Sequence, residues 1–467
     1  MSTTQKSKER ETAVIRAPHD GSEVGVVSLA GPEEVRAALD ENVRTARAAR
    51  EMPPYERARA LRKVADGLEA ARAEFGRTLA LEAGKPISQA RTEIDRAISV
   101  FHDGAEEATR LEGELLPADN VPNGKGRIAI SRRFPLSPIA AITPFNFPVL
   151  LAAHKIAPAM ACGAAITLKP PPQDPLTTLR LAEIVNASGY PAGAVNVVPC
   201  HVEVAQILIE DPRVRMITFT GSAKAGWAIR AKAGTKRVAL ELGGNAAVIV
   251  EPDADLAWAA TRCAIGGFTY AGQSCISTQR IYVHEKVYDQ FLRLLLDKVG
   301  QLKTGDVLDD KTDVGPMIAL DAAERVERWI AEATAAGAKL ELGGKRRGIF
   351  LEPTVLTHTS AEMKVNCEEV FAPLVTVTPY RALDDAIAWA NASPYGLQAG
   401  VFTTNVNTMF KLYAELDVGA VNGNDIPGYR VDRLPYGGAK ASGLGREGVR
   451  YAIEEMTERR VLTLKLD

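Results

Sequence analysis

The chain has 467 residues, enough for about three domains, and its 46% apolar and 24% charged residues fit a folded globular protein and exclude disorder over most of its length. Its 56 Lys and Arg against 58 Asp and Glu leave a net charge of -2, which gives no field for steering onto nucleic acid or an anionic membrane. The five cysteines (Cys162, Cys200, Cys263, Cys275, Cys367) form no CxxC pair, so neither a disulfide scaffold nor a zinc ribbon is expected, no metal site is predicted, and a reducing cytoplasmic setting fits. The polar start MSTTQKSKERETAV lacks an apolar h-region, so no secretory signal is expected.

From Pro32 to about Glu112 the pattern is helical. Val35, Leu39 and Val43 recur at i, i+4 and i+8, and Leu61, Val64 and Leu68 give a second apolar stripe. Gly84 followed by Pro86 marks a helix end, with a third helix starting near Ser88. PADNVPNGKG (117–126) is loop chemistry, and RIAISRRF (127–134) reads as a strand. The apolar stretch Ile139 to Leu168 contains Pro144, Asn146, Pro148, His154, Lys155 and Pro158, a set that predicts buried core rather than a membrane span. IAAI, AAITL, VNVV, MITF and VALEL alternate with helical stretches, which argues for a parallel sheet of βαβ units. AAVIV, RIYVH, LVTVTPY and GVFTT form a second such region, and the tail VLTLKL reads as one more strand.

Four local patterns carry chemistry. Gly272-Gln273-Ser274-Cys275 is a small-residue approach to a cysteine, which leaves room for a substrate beside sulfur. Glu241-Leu242-Gly243-Gly244-Asn245 puts a carboxylate at the end of an apolar strand before a glycine turn. A carboxyl in that setting acquires a raised pKa and can act as a general base. In Thr143-Pro144-Phe145-Asn146-Phe147-Pro148 an Asn is held between prolines and aromatics, where its amide could donate to a developing oxyanion. Phe219-Thr220-Gly221-Ser222-Ala223-Lys224-Ala225-Gly226 follows a strand and opens a helix, which suits a pyrophosphate, although it is not a GxGxxG fingerprint.

Together these residues resemble the NAD(P)-dependent aldehyde dehydrogenase superfamily. The resemblance runs in order through TPFNFP (143–148), LKP (168–170), FTGSAKAG (219–226), LELGGN (240–245), GQSC (272–275), EEVFAP (368–373), PYG (394–396) and PYGGAKASGLGREG (435–448). It implies an α/β fold with two Rossmann-like domains plus a small β oligomerisation element. The implied division is 1–115 with 136–245 for the cofactor domain, 246–441 for the catalytic domain, and 117–135 with 442–467 for oligomerisation. By the same resemblance Cys275 is the nucleophile, Glu241 the general base, and Asn146 with the Cys275 N–H the oxyanion donors. Phe145, Lys169, Gly221, Ser222, Gly226, Leu242, Glu369 and Phe371 fall at cofactor-binding positions, and NAD or NADP is the implied cofactor.

The implied reaction oxidises a small aldehyde to a free acid through a cysteine thioester. The implied assembly is a homodimer or homotetramer, since open β edges are a liability in a monomer. Two alternatives are a CoA-acylating semialdehyde dehydrogenase, which typically lacks the Glu present here as Glu241, and a non-enzymatic protein on the same fold. Three positions depart from the pattern. Pro172 stands where relatives often carry a ribose-binding Glu, Ala372 replaces a Gly, and Ser274 stands where relatives acting on phosphate or phosphonate aldehydes often carry Arg. Arg430 and Arg433 remain as candidates for holding an acidic group.

Overall fold

The computed structural model describes residues 11–466; the first ten residues of the polar N-terminal segment lie outside them. Two open α/β sheets and one small sheet organise the chain. The six-stranded sheet has the order Gly443–Leu444, Arg237–Glu241, Met216–Thr220, Ile139–Ile142, Ile166–Lys169, Val195–Val197, parallel except for its first strand. The seven-stranded sheet has the order Lys339–Leu342, Thr354–Thr357, Leu374–Tyr380, Thr278–His284, Ala246–Val250, Gln398–Phe402, Ala420–Gly423. It too is parallel except at its first edge. Strands buried on both faces read as continuous apolar runs, which is why IAAI and AAVIV are legible as strands.

The N-terminal region folds as four helices, Pro32–Glu51, Pro54–Ala70, Arg72–Ala83 and Ile87–Ala108. Leu61, Val64 and Leu68 are fully buried. Val43 breaks the first predicted stripe and is 46% exposed. Eight residues of α-helix rotate about 80° past full turns, so Asn42 faces inward instead and donates to the carbonyls of Gly193 and Ala194. The predicted stop at Gly84 is real, with φ of 63° closing the third helix; the helix from Ile87 is therefore the fourth. The segment Ile139 to Leu168 resolves into strand, helix Pro148–Cys162 buried on all sides, and strand.

The small antiparallel sheet comprises Thr457–Lys465, Arg127–Pro135 and Glu114–Pro117. Within 442–467, the segment that pairs in this sheet is Thr457–Lys465. Gly443–Leu444 pairs with Leu240 and Glu241, and Val449, Ile453 and Met456 join the core of the six-stranded sheet. Val449 and Ile453, four apart on helix Val449–Glu455, share its buried face, and Met456 follows at the C-cap. Among the described residues no helix is long and apolar enough to cross a membrane.

Candidate active site

The strands of the six-stranded sheet deliver Ile142, Lys169, Thr220 and Glu241 at their carboxyl ends, where open α/β sheets expose binding groups. The loop Leu242–Asn245 runs from there directly into strand Ala246–Val250 of the other sheet, and Cys275 lies just before strand Thr278–His284. Between the two sheets is a cavity of about 530 Å³. Cys275, Glu241 and Asn146 all border it, as do Phe145, Gly221, Ser222, Leu242, Glu369 and Phe371. Lys169, Pro172 and Gly226 lie beyond its lining. Lys169 is buried with Nζ on its neighbour's carbonyl, Pro172 is exposed, and Gly226 sits in the first turn of helix Ala223–Lys232 against Leu242.

The chain approaches Cys275 through Tyr270, Ala271 and Gly272, all left-handed at φ of 50°, 52° and 68°. Non-glycine residues persist there only where surrounding contacts hold them. Here the Tyr270 hydroxyl donates to Ala83 O at 2.7 Å, and Gln273 accepts from the Ile318 N–H at 2.8 Å. The Cys275 thiol is half-buried at the cavity wall, 3.1 Å from the Tyr436 hydroxyl. Asn146 is held from two sides. Its side-chain amide donates to Gln273 O at 3.1 Å, and its carbonyl accepts from Lys85 Nζ at 2.6 Å. Lys85 is fully buried and paired with Glu93, whose carboxylate also accepts the Val149 and Leu150 N–H groups opening helix Pro148–Cys162.

Burial pushes the Cys275 thiol up to about 11, partly countered by the Tyr436 hydrogen bond. Burial and the nearby Glu447 charge raise Glu241 well above the usual carboxylate range. Glu447 is buried too, but Lys155, His154 and Arg430 around it hold it down to about 2. Of these two neighbouring carboxyls, Glu447 therefore takes the negative charge and Glu241 the proton. Lys155 donates to Glu447 at 3.4 Å and Arg430 at 3.2 Å. Asp432 lies 3.1 Å from both Arg430 and His154 and accepts the Arg96 fork at 2.8 and 2.9 Å.

The residues present fit an NAD(P) molecule. A Cβ on Gly244 would stand 2.3 Å from the backbone oxygen of Cys275, so only glycine allows the turn there, and one on Gly243 would stand 2.3 Å from a Glu369 carboxyl oxygen. Glu369 is half-buried, accepts the Gly244 N–H at 2.9 Å, and is raised by desolvation to about 7. Phe371, at φ of 53°, packs edge-on to Phe145 with ring centres 6.0 Å apart. Ser222, on the cavity wall, caps helix Ala223–Lys232 by accepting the Ala225 N–H, and the N-terminus of a helix is an arrangement suited to an anion.

The sequence assigns no role to Tyr436, Glu447 or Lys155, and offers Arg430 only as a candidate for holding an acidic group. Tyr436 and Glu447 lie inside the PYGGAKASGLGREG motif, which was legible as a motif but not as neighbours of Cys275 and Glu241, because more than a hundred residues separate them in sequence. Arg433 does not reach the cavity; it pairs with Asp103 and Glu106 on the surface.

A sequence model of the aldehyde dehydrogenase family matches residues 4–462. The chain is 47% identical to a 3-sulfolactaldehyde dehydrogenase of Priestia aryabhattai, over 88% of this chain and 87% of that one. It superposes on aldehyde dehydrogenase 21 of Physcomitrella patens, solved with its reaction product succinate, at a TM-score of 0.96 and 40% identity, covering 98% and 96% of the two chains. A glyceraldehyde-3-phosphate dehydrogenase of Methanocaldococcus jannaschii, solved with NADP, matches at a TM-score of 0.94 and 37% identity, covering 98% and 100%.

Proposed function

The chain belongs to the aldehyde dehydrogenase family and oxidises an aldehyde to the acid with NAD(P), and from that premise we propose that its substrate is a short aldehyde bearing an anionic group. The observation that carries this reading is the cluster of guanidinium groups, Arg96, Arg262 and Arg430, bordering the same cavity as Cys275. Arg430 is committed to Asp432, Glu447 and the Tyr436 ring. Arg262 gives its Nε to Asp425 at 2.7 Å and has no other hydrogen-bond partner among the described residues. Arg96 uses Nε and one amino group on Asp432. A sulfonate, carboxylate or phosphate would find charge-assisted donors on Arg96 and Arg262. The relatives named above act on a sulfonated aldehyde, yield succinate, or act on a phosphorylated one, in support of the same class.

The roles of the site residues follow from their chemistry. Cys275 sulfur bonds to the aldehyde carbon as the carbonyl π bond opens. The resulting oxyanion is met by the Asn146 amide and the Cys275 N–H. When bound, NAD(P) supplies the hydride acceptor for the oxidation to the thioester. Glu241 then takes a proton from water, the hydroxide oxygen adds to the thioester carbon, and the carbon–sulfur bond breaks to release acid and Cys275. Phe145, Gly221, Ser222, Gly226, Leu242, Glu369 and Phe371 hold the cofactor around this centre, with Lys169 at the adenosine end.

The test is a panel of two- to four-carbon aldehydes, anionic against neutral, followed by free-acid release with and without CoA. Each charge-assisted pair is worth about 1.5–3 kcal/mol, or about ten- to a hundredfold. Anionic aldehydes are expected to lead in kcat/KM by at least that factor. Arg262→Ala should erase most of the lead while leaving neutral aldehydes near the parent rate. Equal use of neutral and anionic aldehydes overturns the substrate class, and acid release that requires CoA overturns hydrolysis.

Coenzyme choice rests on position 172. Pro172 offers neither a ribose acceptor nor a charge to repel a 2′-phosphate, while Lys169 remains a nearby cation. NADP should be used at least comparably with NAD, and Pro172→Glu should move kcat/KM toward NAD by about ten- to a hundredfold. A parent that strongly prefers NAD, with no change in the variant, removes position 172 from the choice. The strand Thr457–Lys465 ends the small sheet and exposes Val461, Leu462 and Leu464, which supports a homodimer or homotetramer. The five free cysteines support a reducing, cytoplasmic setting.

A further inference from the structure

Tyr436 is a phenol placed against the reacting sulfur. It lies in the strand-and-turn segment after the catalytic sheet, its ring is buried, and its hydroxyl is 3.1 Å from Cys275 Sγ. The guanidinium carbon of Arg430 lies 3.7 Å from the centre of that ring, well inside the range in which a cation is attracted to an aromatic face. Arg430 is itself fixed. It is bonded to Glu447 at 3.2 Å and His154 at 3.1 Å, and lies 3.1 Å from Asp432, which also accepts the Arg96 fork. This chain of contacts ends at the nucleophile and is used by no step of the reaction given above.

We infer that the Tyr436 hydroxyl is the hydrogen-bond donor to the Cys275 thiolate, aiming it and stabilising it as the anion, and that Arg430 is a positioning residue that holds and polarises the phenol. The inference rests on the reading of Cys275 as the nucleophile. The physical argument has three parts. A thiolate in a buried site needs a donor, because burial alone favours the neutral thiol. Glu369, and Glu241 whenever it is ionised, add negative charge that works against ionisation of the thiol, so the compensating groups must come from elsewhere. The groups that face the sulfur and oppose them are the Tyr436 hydroxyl and, behind its ring, the Arg430 cation, with Glu447, Asp432, Lys155 and His154 forming the charge network that keeps Arg430 in place. A cation on the ring face withdraws electron density from the phenol and strengthens its O–H as a donor. When the thiol ionises its proton passes to water, the Tyr436 O–H stays intact, and no bond other than S–H is broken.

Alkylation of Cys275 by iodoacetamide, with neither aldehyde nor cofactor present, reads the thiolate directly. Peptide-resolved mass spectrometry separates it from Cys367, which is exposed and will also react. Below the midpoint each unit of upward shift slows alkylation tenfold. Tyr436→Phe, which keeps the ring and loses only the hydroxyl, is expected to slow alkylation at pH 8 by about tenfold or more and to move the pH profile upward by about a unit. Arg430→Gln should give a smaller slowing in the same direction, and Arg430→Lys should restore part of it by returning the cation. Tyr436→Phe alkylated at the parent rate or faster overturns the donor role. A normal rate in both Arg430 variants with a slowed Tyr436→Phe overturns the positioning role alone. A cooperative thermal transition at the parent temperature certifies each variant as folded, and if Arg430→Gln fails it the lysine variant carries the comparison. These outcomes are distinct from failure of the nucleophile itself, which would show as retained turnover in Cys275→Ala.

Discussion

Cys275→Ala is expected to abolish acid formation, a loss of at least about ten-thousandfold if covalent catalysis is the route, while cofactor binding and the folded state persist. The expectation follows from the site's layout. Cys275 is the one cysteine bordering the cavity between the two sheets, whereas Cys162, Cys200 and Cys263 are buried in helical and strand cores and Cys367 is exposed away from it. An alanine at 275 removes no more than a thiol from a half-buried wall, so stability should change little. Cofactor binding by fluorescence and turnover by absorbance separate the two effects. Residual turnover within a hundredfold of the parent would move the nucleophile to another residue.

Glu241→Gln is expected to split the reaction in two. Acylation proceeds and gives a burst of reduced cofactor close to one per site, after which turnover falls by about a hundredfold or more because water is no longer deprotonated. Mass spectrometry should then find the acyl group on Cys275. The charge state of Glu241 sets the pH dependence. Burial and Glu447 raise it well above the ordinary carboxylate range, so its protonated form persists to higher pH than that of an ordinary carboxyl. Raising the pH increases the carboxylate fraction and so the deacylation rate. The parent should therefore show a steady-state rate that climbs with pH above the ordinary carboxylate range, and the glutamine variant should lose that limb. A pH-independent parent, or a variant with unchanged turnover, takes Glu241 out of the hydrolytic half.

The pairing of Glu241 with Glu447 shows what neither residue's own sequence context could reveal. Two buried carboxyls near one another cannot both ionise cheaply. Glu447 wins the charge because Lys155 and Arg430 bond to it directly, and Glu241 keeps the proton it must later exchange with water. The same helix that carries Lys155 also carries His154, so Pro148–Cys162 supplies both the wall of the cavity and part of its charge balance.

The sequence by itself determined the local signals: where apolar runs make parallel strands, where Gly84 stops a helix, and which short motifs bear a thiol, a carboxyl, an amide and a helix-opening serine. These are set within a few residues by propensity, periodicity and side-chain chemistry, and that is why IAAI, MITF and AAVIV fall where the strands are. Tertiary structure decided which arc of the first helix is buried, with Asn42 turned in to the carbonyls of Gly193 and Ala194 and Val43 left outside, because the neighbouring segments supply the packing partners. It also decided that residues 443–456 belong with the six-stranded sheet, that Arg433 stays on the surface, and that Tyr436 and Arg430 stand behind Cys275. Those facts depend on contacts between segments far apart in sequence. Burial, opposed charges and hydrogen-bond distance exist only once the two sheets have closed on the cavity between them.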